Sequence, residues 1–490
     1  MPQNNLPVYT FKWSTNKEED RFIVETPVTG QPIAVVQGCG VEEVDRAVKA
    51  AHEAYSKNWR WVAPHDRADC LLAAADIIKK HSKELSELET YEEGKPIFAS
   101  RGDVKKAAEA FEFFGGLIGN VPTDFMDLGA YYAAMHLEPY GVIAGVLPFN
   151  WPPLHAAAKS APALAVGNSV VLKPSKQAPL TVIRMIELIK GCFPEDTLSV
   201  VSGPGRDTTN ALVSHPLVRK VSFTGSTAGG KAILRQTVDT LTPSMMELGG
   251  KNPMLILADA DLDKVVPAAF DGVFYNNGQA CTAVSRILVH RSLHDEFVRR
   301  FSEKVEKIRV GNGADENTQI GPLVSKDQQR RVLDYIEMGV KEGARIAAQA
   351  KIPENPEFKN GYFVPPTLFC DVTLDMQIAR DELFGPVTCV IPFDDVEEGV
   401  NMANDTEYGL VAVVFTENQD AGQRIARQLD AGTVYINNFC RFGRDVIPFG
   451  GNKASGFGRE RCVETLHEYG HVKAVRYLSG IGSFKMWGQE

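Results

Sequence analysis

Short apolar segments alternate with helical segments from about residue 141 onward, and this alternation constrains the fold most. Buried strands separated by helices are typical of a parallel sheet that helices cover on both faces. The clearest strands of a first series are GVIAGVLPF, SVVLKPS, LSVVSG and KVSFTGS. A second series follows Pro253, with MLILADADLD, SRILVHRS and GTVYINNF as its clearest strands. We therefore predict an α/β protein.

The length and the N-terminal part of the chain indicate more than one domain. A chain of 490 residues is too long for one hydrophobic core, so two or three domains are expected. Residues 41–118 are mainly helical by their apolar spacing. One helix is predicted over VEEVDRAVKAAHEAY and a second over RADCLLAAADIIKKHSKELSELETYEEGK, which Gly94-Lys95-Pro96 ends.

Charge and cysteine content exclude several classes of function. The formal net charge of −10 argues against nucleic acid or an anionic membrane as the main partner. We see neither a secretory signal nor an apolar stretch that reaches the ~18 residues of a membrane span. The eight cysteines are scattered, without a metal-ligand spacing. This usage favours a cytoplasmic protein without disulfides or a structural metal.

Polar residues and glycines follow several of the predicted strands. Ligands bind beyond the carboxyl ends of the strands in an open parallel sheet. Gly225 and Ser226 open a helix whose free N–H groups could hold a phosphate, although such a sequence more often forms only a cap and turn. The residues at these strand ends are Asn150, Lys173, Ser175, Gly203, Gly205 and 224–227.

Six segments together resemble the aldehyde dehydrogenase superfamily, in its order and at its spacing: PFNWP, FTGST, MELGGKNP, FYNNGQACTAVSR, ELFGPV and PFGGNKASGFGRE. The resemblance covers roughly residues 20–480 and implies NAD(P)-dependent oxidation of an aldehyde to a carboxylic acid. It implies a Rossmann-type cofactor domain, an α/β catalytic domain and a small oligomerisation arm that makes a homodimer or homotetramer. The corresponding ranges are 1–117 with 141–249, then 250–465, and lastly 118–140 with 466–490.

The chemistry of this oxidation requires a nucleophile, an oxyanion donor and a base. Hydride leaves a tetrahedral adduct more easily than a carbonyl, and a thiolate forms that adduct readily. The resemblance assigns this role to Cys281, the donation to the adduct oxygen to Asn150, and the activation of water to Glu247. It aligns Lys159 and Glu460 with a proton relay.

The resemblance also implies a set of cofactor contacts. Glu382 matches the residue that holds the nicotinamide ribose, Phe384 the ring packed beside the nicotinamide, and Lys173 the contact to the adenosine ribose. The remaining predicted cofactor residues are Phe149, Gly205, Gly225, Ser226 and Leu248.

Lys176 departs from the family pattern, which places a glutamate there to pair with the adenosine ribose hydroxyls of NAD. A carboxylate would repel the 2′-phosphate of NADP, whereas a lysine attracts it, and Ser175 adds a hydroxyl donor. We therefore predict that NADP is preferred and that NAD is also used. The alternative is a solvent-facing lysine that touches no cofactor.

The substrate tunnel favours an apolar or aromatic aldehyde, because its predicted lining is Trp151, Leu154, His155, Phe442 and Phe449. Arg441 and Arg444 in the same loop leave open a carboxylate-bearing semialdehyde. Two other classes remain open as well. A catalytically silent relative would be expected to lose Cys281 or Glu247, and a CoA-acylating relative generally lacks Glu247.

Overall fold

The computed structural model describes residues 6–439 and 446–481. Helices dominate residues 41–118 and then alternate with strands, as the apolar spacing predicts. The helices are α1 (Val41–Lys57), α2 (Pro64–Lys80), α3 (Ser82–Glu93), α4 (Ile97–Ile118), α5 (Pro152–Val166), α6 (Leu180–Ile189), α7 (Asp207–Val213), α8 (Thr227–Thr237), α9 (Leu262–Phe274), α10 (Arg291–Glu306), α11 (Lys326–Lys341), α12 (Gln377–Arg380), α13 (Val396–Asn404), α14 (Gln419–Ala426) and α15 (Thr465–Glu468).

The strands form two large mixed sheets and three small ones. In chain order they are β1 (Val8–Tyr9), β2 (Arg21–Thr26), β3 (Gln31–Gln37), β4 (Phe125–Asp127), β5 (Tyr131–Pro139), β6 (Val142–Val146), β7 (Ser169–Lys173), β8 (Leu198–Val200), β9 (Val218–Thr224), β10 (Ser244–Glu247), β11 (Asn252–Ile256), β12 (Val284–His290), β13 (Arg345–Gln349), β14 (Thr367–Cys370), β15 (Val387–Phe393), β16 (Tyr408–Gly409), β17 (Val411–Phe415), β18 (Thr433–Ile436), β19 (Asn452–Lys453), β20 (Gly456–Phe457) and β21 (Gly470–Leu478).

The first large sheet has the order β20-β10-β9-β6-β7-β8. Its strands are parallel except β20, which pairs antiparallel with β10. Every residue of β6, β7 and β8 is buried, as expected for parallel strands that helices cover on both faces. Val146 lies beside both Lys173 and Phe223 in register, so the chain leaves these three strands at one edge of the sheet.

The second large sheet has the order β13-β14-β15-β12-β11-β17-β18 and is parallel apart from its edge strand β13. Separate apolar clusters pack on its two faces. The nucleophile segment lies between α9 and β12 of this sheet, while β20, from the C-terminal part of the chain, completes the first sheet. The strand β20 therefore joins the C-terminal part of the chain to β10, about 200 positions earlier in the sequence.

A third sheet, β21-β5-β4, is antiparallel. Strand β21 pairs with β5 along nine residues, from Gly470 opposite Pro139 to Leu478 opposite Tyr131. All residues of β21 after Gly470 are exposed. This sheet therefore presents an edge strand and apolar side chains to its surroundings.

One helix prediction is wrong in its extent. The second predicted helix is divided at His81 into α2 and α3, which ends as predicted before Gly94. The His81 N–H closes α2 on Ile77, and its carbonyl accepts the first bond of α3 from Leu85. Apolar spacing continues across this junction, so the sequence pattern did not reveal the break. No helix within the described residues is long and apolar enough to span a membrane.

Candidate active site

Three consecutive left-handed residues shape the loop that carries Cys281. Asn276, Asn277 and Gly278 have φ values of 55°, 59° and 70°. Asparagine tolerates this region better than most residues, and glycine adopts it freely. A Cβ on Gly278 would lie 2.3 Å from the carbonyl of Gly385, so glycine is also required by the close approach of that segment. The nucleophile loop thereby packs directly on the ELFGPV segment.

The side chain of Asn150 is anchored to the backbone of Gln279, which lies two residues before Cys281 in the sequence. Its Nδ2 donates to the carbonyl oxygen of Gln279 at 3.0 Å. The Nδ2 of Asn276 bridges the carbonyl oxygens of Asn150 and Gln279 at 2.9 and 3.1 Å. Asn150 is 2% exposed. The second hydrogen of its amide group makes no hydrogen bond within the described residues.

A buried lysine that the sequence analysis treated only as part of a helix stop supports Asn150. The Nζ of Lys95 donates to the carbonyl oxygen of Asn150 at 2.5 Å. It also donates to Glu89 at 2.9 Å and to Asp103 at 2.8 Å, and all three ionic side chains are buried. Removing one partner of this network would leave a buried charge unpaired, which is unfavourable. The network therefore stays intact and holds the backbone of Asn150 in place.

The same helix end holds the nucleophile loop. The Nε2 of Gln279 donates to Glu93 at 3.0 Å, and its Oε1 accepts the N–H of Val324 at 3.0 Å. Burial raises the pKa of Glu93 to about 8, while the charge of Lys95 opposes that rise. The sequence signal for this network was a lysine that closely follows two glutamates at a helix end. One segment cannot reveal the distant residues with which that lysine pairs.

Glu247 ends strand β10 and lies opposite Gly456 of β20. The side chain is 3% exposed, and its Oε1 has no hydrogen-bond partner in the described part of the chain. Burial, and next the charge of Glu460, raise the pKa of Glu247 well above its ordinary value, while Lys159 acts in the opposite direction. The carboxyl therefore exchanges a proton nearer to neutral pH than an exposed glutamate does.

The two predicted relay residues form a buried ion pair beside Glu247. The Nζ of Lys159 donates to Glu460 at 2.9 Å and to the hydroxyl of Ser222 at 3.1 Å. The hydroxyl of Tyr469 donates to Ser222 at 3.0 Å and completes the group. Polar groups are thus connected from the neighbourhood of Glu247 into the interior of the first sheet.

The residues predicted to contact the adenosine end of the cofactor lie where strand β7 of the first sheet ends. Lys173 is 8% exposed, and its Nζ makes no hydrogen bond within the described residues. Burial lowers its pKa to about 8, and the charge of Lys176 acts in the same direction. Lys176 itself is exposed, and the hydroxyl of Ser175 donates to Gln177. Two cations therefore lie near one another, and neither forms an ion pair with a described carboxylate.

The predicted glycine and helix contacts lie around the same edge. The Ser226 hydroxyl caps α8 by accepting the N–H of Gly229 at 3.1 Å. The N–H of Gly225 donates to the carbonyl of Glu247 at 3.0 Å, so this glycine is tied to the catalytic strand. Gly205 is exposed two residues before α7. The Ser226 cap therefore occupies one of the N–H groups at the start of α8 that were predicted to bind a phosphate.

The residues predicted to contact the nicotinamide end include Glu382 and Phe384 of the ELFGPV segment. The Oε1 of Glu382 accepts the N–H of Gly250 at 3.0 Å, and burial raises its pKa to about 7. Phe384 has a φ of 59°, and its ring lies edge-on to Phe149 at 5.6 Å. Leu248, also a predicted contact, is 6% exposed. Backbone strain of this kind is concentrated at ligand-binding segments.

One cleft brings the predicted nucleophile, the predicted base and the predicted substrate residues together. Predicted residues that line it are Cys281, Glu247, Glu460, Trp151, Leu154, His155 and Phe449. Further residues line the cleft without having been predicted from the sequence, among them Asp103, Lys106, Tyr435, Phe439, Ile447 and Arg461. Phe442, Arg441 and Arg444 lie outside the described residues.

Comparison with known proteins decides the family. The family described as "Aldehyde dehydrogenase family" matches residues 13–475. The chain belongs to the aldehyde dehydrogenase family. The aldehyde dehydrogenase citD of Monascus ruber is 46% identical over 481 residues, which cover 98% of this chain and 96% of that protein. A betaine aldehyde dehydrogenase of Brucella anthropi is 42% identical over 451 residues, which cover 92% of each.

Solved structures agree with this aldehyde dehydrogenase in fold. A betaine aldehyde dehydrogenase from Staphylococcus aureus in complex with NAD+ matches with a TM-score of 0.92 and 36% identity, covering 97% of this chain and 94% of that chain. An NAD+ complex of an aldehyde dehydrogenase from Bacillus cereus matches with a TM-score of 0.90 and 39% identity, covering 94% and 93%. The predicted α/β aldehyde dehydrogenase fold is confirmed. The protein is an oxidoreductase that converts an aldehyde into a carboxylic acid.

His155 has an unusual place in this aldehyde dehydrogenase. It is 4% exposed, and neither ring nitrogen has a hydrogen-bond partner within residues 6–439 and 446–481. Burial, and next the charge of Lys159, hold its pKa well below the ordinary value. Its ring lies 6.0 Å from that of Trp151. The neutral imidazole therefore forms part of the apolar wall of the cleft, and its contact with substrate stays a prediction.

Proposed function

We propose that this enzyme oxidises an apolar or aromatic aldehyde, preferring NADP and also accepting NAD. The observation that carries the reaction scheme is the single cleft that holds Cys281 and Glu247 within one apolar lining. A panel of aliphatic and aromatic aldehydes assayed with each cofactor tests this proposal. Turnover confined to small polar aldehydes would contradict it.

Cys281 acts first in the proposed mechanism. Its thiolate adds to the aldehyde carbon, a C–S bond forms, and the carbonyl electron pair moves to the oxygen. The free amide hydrogen of Asn150 donates to that oxygen, because the amide is already anchored through Gln279. Lys95 acts as a positioning residue in this step, since it fixes the carbonyl of Asn150.

Glu247 acts on the thioester that follows. It takes a proton from water, the hydroxide adds to the thioester carbon, and the Cys281 sulfur leaves with the C–S electrons. Two observations support Glu247 as the base, namely its unpartnered Oε1 and its pKa, which burial raises. Lys159 and Glu460 then accept and return protons through their buried ion pair.

The residues at the opening of the first sheet fit a dinucleotide. Lys173 is a buried ammonium without a hydrogen bond in the described part of the chain, and ribose hydroxyls supply acceptors for it. Glu382 is anchored by Gly250 with a carboxylate oxygen left for the second ribose. When bound, NAD(P)+ supplies hydride acceptance, which turns the Cys281 adduct into a thioester. The NAD+ complexes of the two similar proteins support this class of cofactor.

Lys176→Glu is expected to raise the KM for NADP far more than the KM for NAD. The exposed ammonium lies close enough to Lys173 to lower its pKa, so both cations can meet one phosphate. A unit-charge contact at ~4 Å is worth about 1 kcal/mol in water and about 4 kcal/mol at an intermediate dielectric. We expect the NADP/NAD preference to fall about tenfold to several hundredfold. Kinetics with both cofactors measure this ratio.

A second charge reversal and a salt series make this test specific. Lys351→Glu reverses the charge of another exposed lysine, in a loop of the second sheet, and should leave the ratio unchanged. The effect of Lys176→Glu should shrink at higher ionic strength, because surface charges are screened. Ser175→Ala should change the ratio in the same direction by less. An unaltered ratio in Lys176→Glu would show that Lys176 points into solvent.

The alternatives to hydrolytic oxidation have less support. A silent relative is expected to lack the nucleophile or the base, and a CoA-acylating one the base. Both Cys281 and Glu247 are present and line the same cleft. Adding CoA to the assay and measuring acyl-CoA discriminates directly between transfer to water and transfer to a thiol.

We infer the predicted domain division and a homo-oligomer. Residues 118–140 and 466–490 form the oligomerisation arm and tail, and the ranges 1–117 with 141–249 and 250–465 form the other two domains. The third sheet supports this division, because β21 leaves one edge unpaired in the described residues. Its exposed apolar side chains include Val472, Tyr477 and Leu478. Such an edge is normally covered by another chain.

Light scattering at micromolar concentration is therefore expected to give a multiple of the 53.7 kDa chain mass, as a dimer or tetramer. Val475→Asp places a charge on the exposed side of β21 and should shift the mass toward the monomer. Lys351→Glu, far from this sheet in sequence, should not. A monomer mass for the unaltered protein would exclude the proposed arm.

We further propose a cytoplasmic location. The seven cysteines within the described residues are all free thiols, which suits a reducing compartment. Fractionation of cells that express the protein tests the location.

A further inference from the structure

Arg461 is a cation in the cleft whose guanidinium donates no hydrogen bond to an acceptor within the described residues. Its guanidinium lies over the ring of Phe449, 5.1 Å from the centroid. The Nε is buried and has no hydrogen-bond partner among the residues that the structure describes. A guanidinium carries five N–H donors, and burying them without acceptors is unfavourable. The contact with Phe449 orients the charge but satisfies none of these donors.

The backbone at Arg461 is also strained. Its φ is 65°, in the left-handed region that long side chains rarely adopt. Strain of this kind persists where the surrounding structure enforces a conformation, and it is concentrated at functional sites. Arg461 follows Glu460, whose N–H and carbonyl both pair with Phe449 in a β-bridge. This bridge fixes the direction in which the Arg461 side chain leaves the backbone.

Two carboxylates that line the cleft already have a cationic partner. Asp103 accepts from Lys95 at 2.8 Å, and Glu460 accepts from Lys159 at 2.9 Å. Glu247 is buried without an ion pair in the described residues; burial raises its pKa, and the charge of Arg461 is among those that oppose the rise. Lys106 adds a second cation to the lining. Because Arg461 forms no ion pair within the described residues, its N–H donors are left for a group that enters the cleft.

We propose that Arg461 binds a carboxylate of the substrate, so that the preferred aldehydes carry this anionic group on an apolar or aromatic body. A carboxylate supplies two acceptor oxygens that match the planar guanidinium fork. Trp151, Leu154 and Phe449 contact the apolar body in the same cleft. The inference rests on the proposed function, because it assumes that the aldehyde reaches Cys281 through this cleft.

Matched pairs of aldehydes test the inference. The three positional isomers of carboxybenzaldehyde are compared with the corresponding carbamoylbenzaldehydes, which have the same shape and no charge. For at least one isomer we expect kcat/KM to favour the carboxylate about 10- to 100-fold, through KM. Arg461→Met should abolish this preference while retaining turnover of the carbamoyl partner. Arg461→Lys should retain part of it, because the charge remains but the fork is lost.

Two controls separate this inference from other roles of the residue. Arg424→Met removes an exposed positive charge in α14, outside the cleft lining, and should leave every ratio unchanged. Unsubstituted benzaldehyde tests the aromatic substrate class by itself, so its oxidation without any carboxylate preference overturns only the role of Arg461. If Arg461→Met slowed all aldehydes equally and shifted the pH profile, Arg461 would instead tune Glu247, and the proposal would be wrong.

Discussion

Cys281→Ala is expected to abolish dehydrogenase turnover, lowering kcat by at least about 10³-fold, while cofactor binding remains intact. The reason is chemical, because no adduct forms without the sulfur and the subsequent steps have no starting point. The substitution removes only one sulfur atom from a partly buried side chain, so the loop that Gly278 and Asn276 shape should persist. Steady-state assays and a fluorescence titration of the dinucleotide measure the two properties separately.

Cys70→Ala is the matched control for this prediction. Cys70 is also a partly buried free thiol, but it lies in α2, outside the residues that line the cleft. Turnover by Cys70→Ala should equal that of the unaltered enzyme. More than a trace of turnover in Cys281→Ala would falsify the covalent mechanism, whereas a simultaneous loss of dinucleotide binding would indicate a damaged fold.

Glu247→Gln is expected to separate the two half-reactions. Hydride transfer still occurs once, so a burst of reduced cofactor about equal to the active sites should remain. Steady turnover should fall about 10²- to 10⁴-fold, because glutamine has nearly the shape of glutamate but cannot accept a proton from water. Rapid-mixing absorbance at the reduced-cofactor band measures both phases, and mass spectrometry of the quenched enzyme should detect the acylated Cys281.

The pH dependence gives a second test of Glu247. Burial and Glu460 raise its pKa, so the carboxyl is protonated at lower pH and becomes a base as the pH rises. Steady turnover should therefore increase with pH through that pKa, and Glu247→Gln should lose this limb of the profile. Glu464→Gln neutralises an exposed carboxylate in the same segment as Glu460 and should change neither phase. Unchanged steady turnover in Glu247→Gln would remove Glu247 from the mechanism.

The fold class followed from the sequence because buried parallel strands leave a strong local pattern. Strands such as β7 and β9 are short, fully or almost fully buried and built around apolar residues, so their existence could be predicted. The break at His81 could not, because apolar spacing continues from α2 into α3 and the change of direction is set by packing. The short strand β20 also has too few residues to leave a pattern.

For the site, the sequence by itself determined which residue types were present at family spacing, including Cys281, Glu247 and the unexpected Lys176. Only the tertiary structure placed Lys95 under Asn150 and left Arg461 without an acceptor in the cleft. The physical reason is that a motif is a local property, whereas the burial of a charge and the supply of its partners depend on segments far apart in the chain. Lys95 donates across 55 positions to Asn150, and no local pattern encodes such a contact.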